Sequence, residues 1–423
     1  NAARLAELEG LGAHLVPGLS APPDGTDLVV TSPGWRPTAP LLAAAAEAGV
    51  ETIGDVELAW RLSRTRENPP VWLAVTGTNG KTTTVGMLES ILRAAGVNAV
   101  ACGNVGFAVL DAVSAGYDVL AVELSSFQLH WSSTLAPRAS VVLNVAEDHL
   151  DWHGSLEAYA ADKGKIYAHA ETVVYNTDDA WSTRLSAGYE GAVGFGLGTP
   201  RPGELGLVED LLVDRAFVDD PAHARELCTV ADVRPAGPHN VANALAAAAL
   251  ARAYGVAVTA VSKGLRDFHP GAHRAVEVGE VAGVRYVDDS KATNPHAAAG
   301  SLLAHADVVW IAGGRLKGAS VDSLVAAVSG RLRGAVLLGA DADVIAGALA
   351  RHAPNVPVQR VPAGHDDPMS AAVEAARVLA RPGDVVLLAP AAASLDMFRD
   401  YAHRGDAFAD AVRDLLGGAS DRG

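Results

Sequence analysis

A chain of 423 residues, 49% of them hydrophobic, can bury a large core, and its length suits two to four domains of roughly 100–200 residues each. The formal net charge of −16 excludes a general basic field, so nucleic acid and anionic membranes are not expected partners. Polyanionic substrates would have to be met by isolated cations in glycine-rich surroundings. The two cysteines, Cys102 and Cys228, lie far apart and give no disulfide framework, which suits a reducing cytoplasm. No apolar run reaches the roughly 18 residues of a membrane span and no signal peptide is apparent, so the expected location is cytoplasmic.

In chain order, residues 27–31 (DLVVT) read as a buried strand, Ser32-Pro33-Gly34 as a turn, and 41–48 as an alanine-rich helix. One βα unit cannot close a sheet, so residues 1–65 are expected to be only part of an α/β domain. Charge and a Pro-Pro pair mark a linker over 64–70. A second domain, 66–270, opens with a strand at 71–75 and a helix at 81–95 ending at Gly96. Further strands are expected at 98–102, 118–123, 140–145 and 172–175, with helices at 156–170 and 239–254. Residues 187–233 read as irregular, with small β structure covering one side. A break at Phe268-His269-Pro270-Gly271 starts the third domain, 271–423. Its strands are expected at 284–288, 307–312, 335–338, 356–361 and 384–389, and a helix ends the chain. The alternation predicts an α/β fold of three domains: a central P-loop ATPase-like parallel sheet, a C-terminal Rossmann-like domain and the partial N-terminal one.

The strongest chemical signal is Thr76-Gly77-Thr78-Asn79-Gly80-Lys81-Thr82-Thr83, with a strand running in and a helix running out. Glycines let backbone N–H groups turn toward phosphate oxygens, and the helix N-terminus adds positive potential. Lys81 would pair with the β- and γ-phosphates, and the Thr82 hydroxyl would ligate Mg²⁺. Val75 stands where the longer phosphate-loop motif has its first glycine. Glu123, closing an apolar strand in Glu123-Leu124-Ser125-Ser126-Phe127-Gln128-Leu129, is suited to hold Mg²⁺. His149-Leu150-Asp151-Trp152-His153 could also be read as a zinc cluster, although it lacks HExxH spacing and cysteine ligands.

The run TGTNGKTT resembles the ATP loop of the Mur ligases and of the similar folylpolyglutamate synthetases, and the resemblance extends over nearly the whole chain. ELSSFQL, EDHLD and DDSKATN are similar to the D-glutamate-adding branch of the Mur ligases, and Asp27–Gly34 with Gly54–Leu58 to the end of their UDP-binding domain. The family's first strand and uracil-binding glycine loop have no match here.

The resemblance implies a role for each matching residue. By it, Gly77, Thr78, Asn79, Gly80, Lys81, Thr82 and Thr83 would bind ATP, with Asn240 and Asn243 near adenine and Asp289 near ribose or an ATP-linked water. Thr82, Glu123, His149 and Lys163 would serve two Mg²⁺ sites, Lys163 as a CO₂-derived carbamate; Lys165 is its rival for that position. Lys81, His149, Lys163, Arg274 and Lys291 are the implied catalytic set. Asn104, Ser125 and Ser126 would face the nucleotide-sugar substrate. Thr293, Lys317, Ser394, Leu395 and Tyr401 would hold the incoming amino acid.

The implied partners are ATP, UDP-N-acetylmuramoyl-L-alanine and D-glutamate, with a monomeric enzyme forming an amide through an acyl phosphate. Phe268–Ala272 is the candidate hinge. The alternatives are another Mur ligase, a folylpolyglutamate synthetase-like ligase, or a non-enzymatic P-loop protein. A dinucleotide oxidoreductase fits less well, because Gly194-Phe195-Gly196-Leu197-Gly198 has the wrong glycine spacing.

Overall fold

The chain's Val-, Leu- and Ala-rich runs form three sheets in the computed structural model, which describes residues 2–220, 222–362 and 364–420. The central sheet has nine strands, in the order Arg225–Thr229, Leu211–Asp214, Glu204–Val208, Val193–Phe195, Thr172–Asn176, Ala139–Val142, Val71–Thr76, Val119–Glu123, Ala99–Gly103. Its pairings are parallel from Glu204–Val208 to Ala99–Gly103, and the two remaining edge strands are antiparallel.

Both faces of this sheet are covered, as parallel strands require. Along Val71–Thr76 the side chains alternate. Leu73 and Val75 pack under the helices Lys81–Ala94 and Pro238–Tyr254, while Trp72 and Ala74 face the opposite layer. The second of those helices buries Ala244, Ala246, Ala247, Ala248, Ala249 and Ala251, and these small side chains let it lie close to its neighbours. Because Val71–Thr76 has Val119–Glu123 on one side and Ala139–Val142 on the other, its C-terminal end is a topological switch point, where such sheets bind ligands.

The C-terminal sheet runs Val276–Val281, Val284–Asp288, Val385–Leu388, Val308–Gly313, Leu332–Leu338, Val358–Arg360. All its pairings are parallel except the opening hairpin. Tyr286, Val309 and Ile311 fill one face, and Val287, Trp310 and Leu337 the other.

Several expectations change. Residues 187–233 extend the central sheet edgewise with four strands and do not cover its side. The helix expected over 156–170 is Leu156–Gly164 followed by a 3₁₀ turn, Lys165–Tyr167. The strand expected at 356–361 shortens to an exposed edge, Val358–Arg360. Val276–Val281 and Glu51–Gly54 are additional strands. No helix among the described residues is long and apolar enough to cross a membrane.

The N-terminal part pairs Leu28–Thr31 with Glu51–Gly54 in a two-stranded parallel sheet. The next helix, Asp55–Arg64, docks on the central sheet through Val56, Ala59 and Trp60, whose ring meets Trp72 edge-on at 5.4 Å between centroids. Glu57 fixes this docking. Its fully buried carboxylate accepts from Ser133 N at 3.0 Å, Thr134 N at 3.1 Å, Thr134 Oγ1 at 2.6 Å and Arg61 Nε at 2.9 Å. Burial alone would raise its pKa, but these donors together hold it below the usual value. Its stabilisation is therefore present above about pH 4.5 and lost as pH falls through the depressed folded-state value. Glu57→Ala should cost about 3 kcal/mol, because it leaves buried donors without an acceptor. Urea unfolding followed by tryptophan fluorescence is the measurement.

Candidate active site

The loop after Val71–Thr76 is built around its own backbone. Gly80 has φ +86°, and a Cβ there would fall on Asn243 Oδ1, so any other residue is strained and must push the Asn243 side chain aside for the loop to seat against the helix Pro238–Tyr254. Asn144 clamps the tip: its Oδ1 accepts from Asn79 N at 2.9 Å and its Nδ2 donates to Asn79 O at 3.2 Å. Thr78 Oγ1 lies 3.2 Å from Tyr159 OH and accepts from Ala146 N at 3.0 Å. Gly80→Ala should weaken ATP binding by at least about tenfold, since strain at φ > 0 adds to the clash with Asn243. Isothermal titration with a non-hydrolysable ATP analogue would check this.

Lys81 Nζ donates to Gly77 O and Thr78 O, both at 2.9 Å, and burial lowers its pKa from the ordinary lysine value. Thr82 Oγ1 donates to Glu123 Oε2 at 2.6 Å, and Asn104 Nδ2 donates to Glu123 Oε1 at 3.0 Å. This hydroxyl–carboxylate pair is a hard-oxygen donor set. No group of three or more His, Cys, Asp or Glu side chains among the described residues forms a metal cage. Such a set fits Mg²⁺, whose remaining ligands are usually water and phosphate oxygens.

Lys163 is 1% exposed. Its Nζ donates to Gly77 O at 2.8 Å and lies 4.5 Å from the centroid of the Tyr159 ring. Burial, then the neighbouring Lys81 ammonium, drive its pKa well below the ordinary value. Lys165, by contrast, opens the 3₁₀ turn and is partly exposed, pairing with Asp162 Oδ1 at 2.9 Å. His149 sits at φ +53° with its ring against Phe127, and Nε2 lies 3.5 Å from Asp148 Oδ2. Burial lowers its pKa, and Lys317, Lys163 and Lys81 act in the same direction against Asp148, so the neutral imidazole is favoured. His153, the other histidine of that run, is engaged with Ser126 Oγ at 3.0 Å and Asp162 Oδ2 at 3.1 Å.

A cavity of about 610 Å³ brings most of the expected residues together. Residues Thr78–Thr83, Asn104, Glu123, His149, Asn240 and Asn243 come from the central part. Arg274, Asp289, Lys291 and Thr293 come from the C-terminal part. Asn243 Nδ2 donates to Asn240 Oδ1 at 3.2 Å. Burial raises the Asp289 carboxyl to about 6 against bonds from Ser301 and Ala275 N. Burial, together with the Arg274 guanidinium, lowers the Lys291 ammonium to about 8, and its Nζ lies 3.8 Å from the centroid of the Tyr401 ring.

Gly77, at the start of the loop, and Lys163, which donates to it, are outside that cavity lining. Ser125 and Ser126 are also outside it: Ser125 caps the helix Ser126–His130 in a reciprocal pairing with Gln128. Lys317, Ser394, Leu395 and Tyr401, all in the C-terminal part, are also outside that lining, although the Lys317 ammonium acts on His149. Ser394 is buried, while Leu395 is 70% exposed.

Sequence reasoning missed Asn144, Tyr159 and His296 as site residues. The first two lie in the runs NVAEDHLD and YAADK, which carry other assigned residues. His296 has no local signal: its Nδ1 meets Asn79 Nδ2 at 2.9 Å across the two halves, beside a 2.9 Å bond from Asn294 Nδ2 to Asn79 Oδ1.

Comparison with known proteins gives the family. The Mur ligase middle domain matches residues 75–251, and the Mur ligase, glutamate ligase domain matches 273–392. A UDP-N-acetylmuramoylalanine--D-glutamate ligase of Streptomyces coelicolor is 59% identical, covering 97% of this chain and 89% of its own. The Thermobifida fusca protein of the same name is 58% identical, covering 99% and 91%. Among solved structures, the MurF ligase of Thermotoga maritima in complex with ADP has the same fold, with a TM-score of 0.62 at 18% identity over 93% of this chain and 95% of that one. From its sequence, its sheets and these likenesses, the chain belongs to the Mur ligase family.

Proposed function

We propose that this chain is an ATP-dependent, ADP-forming amide ligase that joins D-glutamate to UDP-N-acetylmuramoyl-L-alanine in peptidoglycan precursor synthesis. The near-full-length identity to ligases bearing that substrate's name carries the reading, and the geometry around Lys81 suits the chemistry. In the same reading, residues 1–65 belong to the nucleotide-sugar domain, 66–270 to the ATP domain and 271–423 to the amino-acid domain of a cytoplasmic monomer.

The reaction requires a substrate carboxylate to approach the γ-phosphate although both are anions. Lys81, Arg274 and Lys291 offset that repulsion. The carboxylate oxygen bonds to γ-phosphorus as the bond to ADP breaks, giving an acyl phosphate. The D-glutamate amine then attacks the acyl carbon, loses a proton, and phosphate departs. Thr82 and Glu123 would hold Mg²⁺ at the phosphates, and His149 with a carbamylated Lys163 would hold a second; the metal supplies charge neutralisation. Lys163 suits carbamylation because burial leaves its amine uncharged more readily, and the carbamate turns a buried cation into an anionic oxygen ligand. Asn240 and Asn243 face adenine, and Asp289 the ribose side. Asn104, Ser125 and Ser126 serve the nucleotide-sugar. Thr293, Lys317, Ser394, Leu395 and Tyr401 serve the two carboxylates of D-glutamate. Water must be kept from the acyl phosphate, so the two halves close over it.

The test is phosphate release from ATP and Mg²⁺ with UDP-N-acetylmuramoyl-L-alanine, comparing D-glutamate with L-glutamate, glycine and diaminopimelate. Release that depends on both the UDP-sugar and D-glutamate is the expected result. Release with a different amino acid moves the chain to a sister branch, and ATP binding without release refutes ligase activity.

A further inference from the structure

Among the described charged side chains of the C-terminal half, the most deeply buried is an arginine. Arg404, on the helix Tyr401–Ser420, is 1% exposed. Its Nε donates to Ser290 Oγ at 2.9 Å and Nη2 to Ser290 O at 2.8 Å. Nη1 donates to Ala392 O at 3.1 Å and Gly313 O at 3.4 Å. All four acceptors are neutral oxygens. Asp396 and Asp288 lie near enough to favour its charge but accept none of its bonds, so the costly burial of the guanidinium is offset chiefly by these oriented neutral acceptors.

The acceptors lie on three separate loops, each at the C-terminal end of a parallel strand. Ser290 follows Val284–Asp288 and precedes Lys291. Gly313 ends Val308–Gly313, four residues before Lys317. Ala392 follows Val385–Leu388, two residues before Ser394. Ser290 Oγ also donates to Tyr401 O at 2.7 Å, which ties in the first turn of Arg404's own helix. The last two loops are further joined by reciprocal bonds between Arg315 and Ala393, at 2.8 and 2.9 Å. One planar fork thus spans the bases of all the segments that carry Lys291, Lys317, Ser394 and Tyr401. A lysine has the charge but not the divergent donors to do this.

We propose that Arg404 is a positioning residue for the acceptor amino acid: it sets the mutual register of the loops that hold the two carboxylates of D-glutamate, without touching the substrate. This rests on the acceptor reading above. It predicts that loosening the fork raises the KM for D-glutamate above the other KM values, because the phosphate loop, Glu123 and the adenine-side asparagines belong to the other half and share none of these bonds, while Lys291, next to Ser290, carries part of the effect into kcat.

The experiment is steady-state kinetics of the full chain, with each substrate varied in turn, for wild type, Arg404→Lys and Ser290→Ala. Wild-type dependence on D-glutamate is established first, and its failure refutes the functional reading. With that dependence in place, Arg404→Lys should raise the KM for D-glutamate by about tenfold, the scale of lost oriented hydrogen bonds to a charged group. The KM values for ATP and the UDP-sugar should stay within about twofold. Ser290→Ala, a small change expected to fold even if Arg404→Lys does not, should raise the D-glutamate KM by about threefold with the same selectivity. An unchanged D-glutamate KM in a folded variant, or a parallel rise in all three KM values, overturns the proposal.

Discussion

Replacing Lys81 with methionine should lower kcat by about a thousandfold or more, corresponding to about 4 kcal/mol of lost transition-state stabilisation. The side chain is similar in length and apolar along its stem, so the substitution removes mainly the ammonium. Lys81 Nζ lies 2.9 Å from two loop carbonyls, Gly77 O and Thr78 O, which hold it over the site where phosphate would lie. The negative charge it meets grows as carboxylate and γ-phosphate come together, so the loss should fall on kcat more than on the KM for ATP. Arginine should not restore activity, because its larger planar fork does not fit a pocket shaped by two carbonyls and the buried Lys163. Rapid-quench measurement of acyl phosphate formation separates this chemical step from product release. A Lys81→Met enzyme within tenfold of wild type would sink the assigned role.

Lys163→Ala should produce a comparable loss, about a thousandfold in kcat, by a different route. Here the working group would be a carbamate formed when the neutral amine combines with CO₂ and releases a proton. The buried position beside Lys81, with its lowered pKa, favours the neutral amine that this step needs. Wild-type activity should therefore fall in CO₂-depleted buffer and return with bicarbonate. ¹³C-bicarbonate should also give a carbamate carbon resonance that is absent from Lys163→Ala. A merely structural lysine would leave activity indifferent to bicarbonate. Lys165→Ala serves as the control, since that side chain pairs with Asp162 near the surface, and its bicarbonate response should match wild type.

The parts legible in the sequence were those whose chemistry is local. The phosphate loop is eight consecutive residues between a strand and a helix, so its geometry is set by glycine, helix polarity and one lysine. Glu123 was legible for a similar reason, because an apolar strand delivers it to the switch-point edge. The strands between 193 and 229 were not. They are three to five residues long, rich in glycine and charge, and become strands only because an existing sheet offers an edge. Val276–Val281 was hidden by its half-exposed pattern and by an irregularity between Glu277 and Gly279 that breaks the alternation. Within the site, the contact of Asn79 with Asn294 and His296 joins residues more than two hundred positions apart, and only the assembled fold brings them together.

That contact has a consequence for the order of events. The backbone of Asn79 is held by Asn144, within its own half, whereas its side-chain amide is held by Asn294 and His296 from the other half. Swinging the C-terminal half away would release the amide and leave the loop's curl intact. The loop's curl would thus not depend on the other half, and docking would add to the nucleotide cradle without building it. An enzyme wired this way can load ATP while open and wait, so that the costly intermediate forms only after the last partner has arrived.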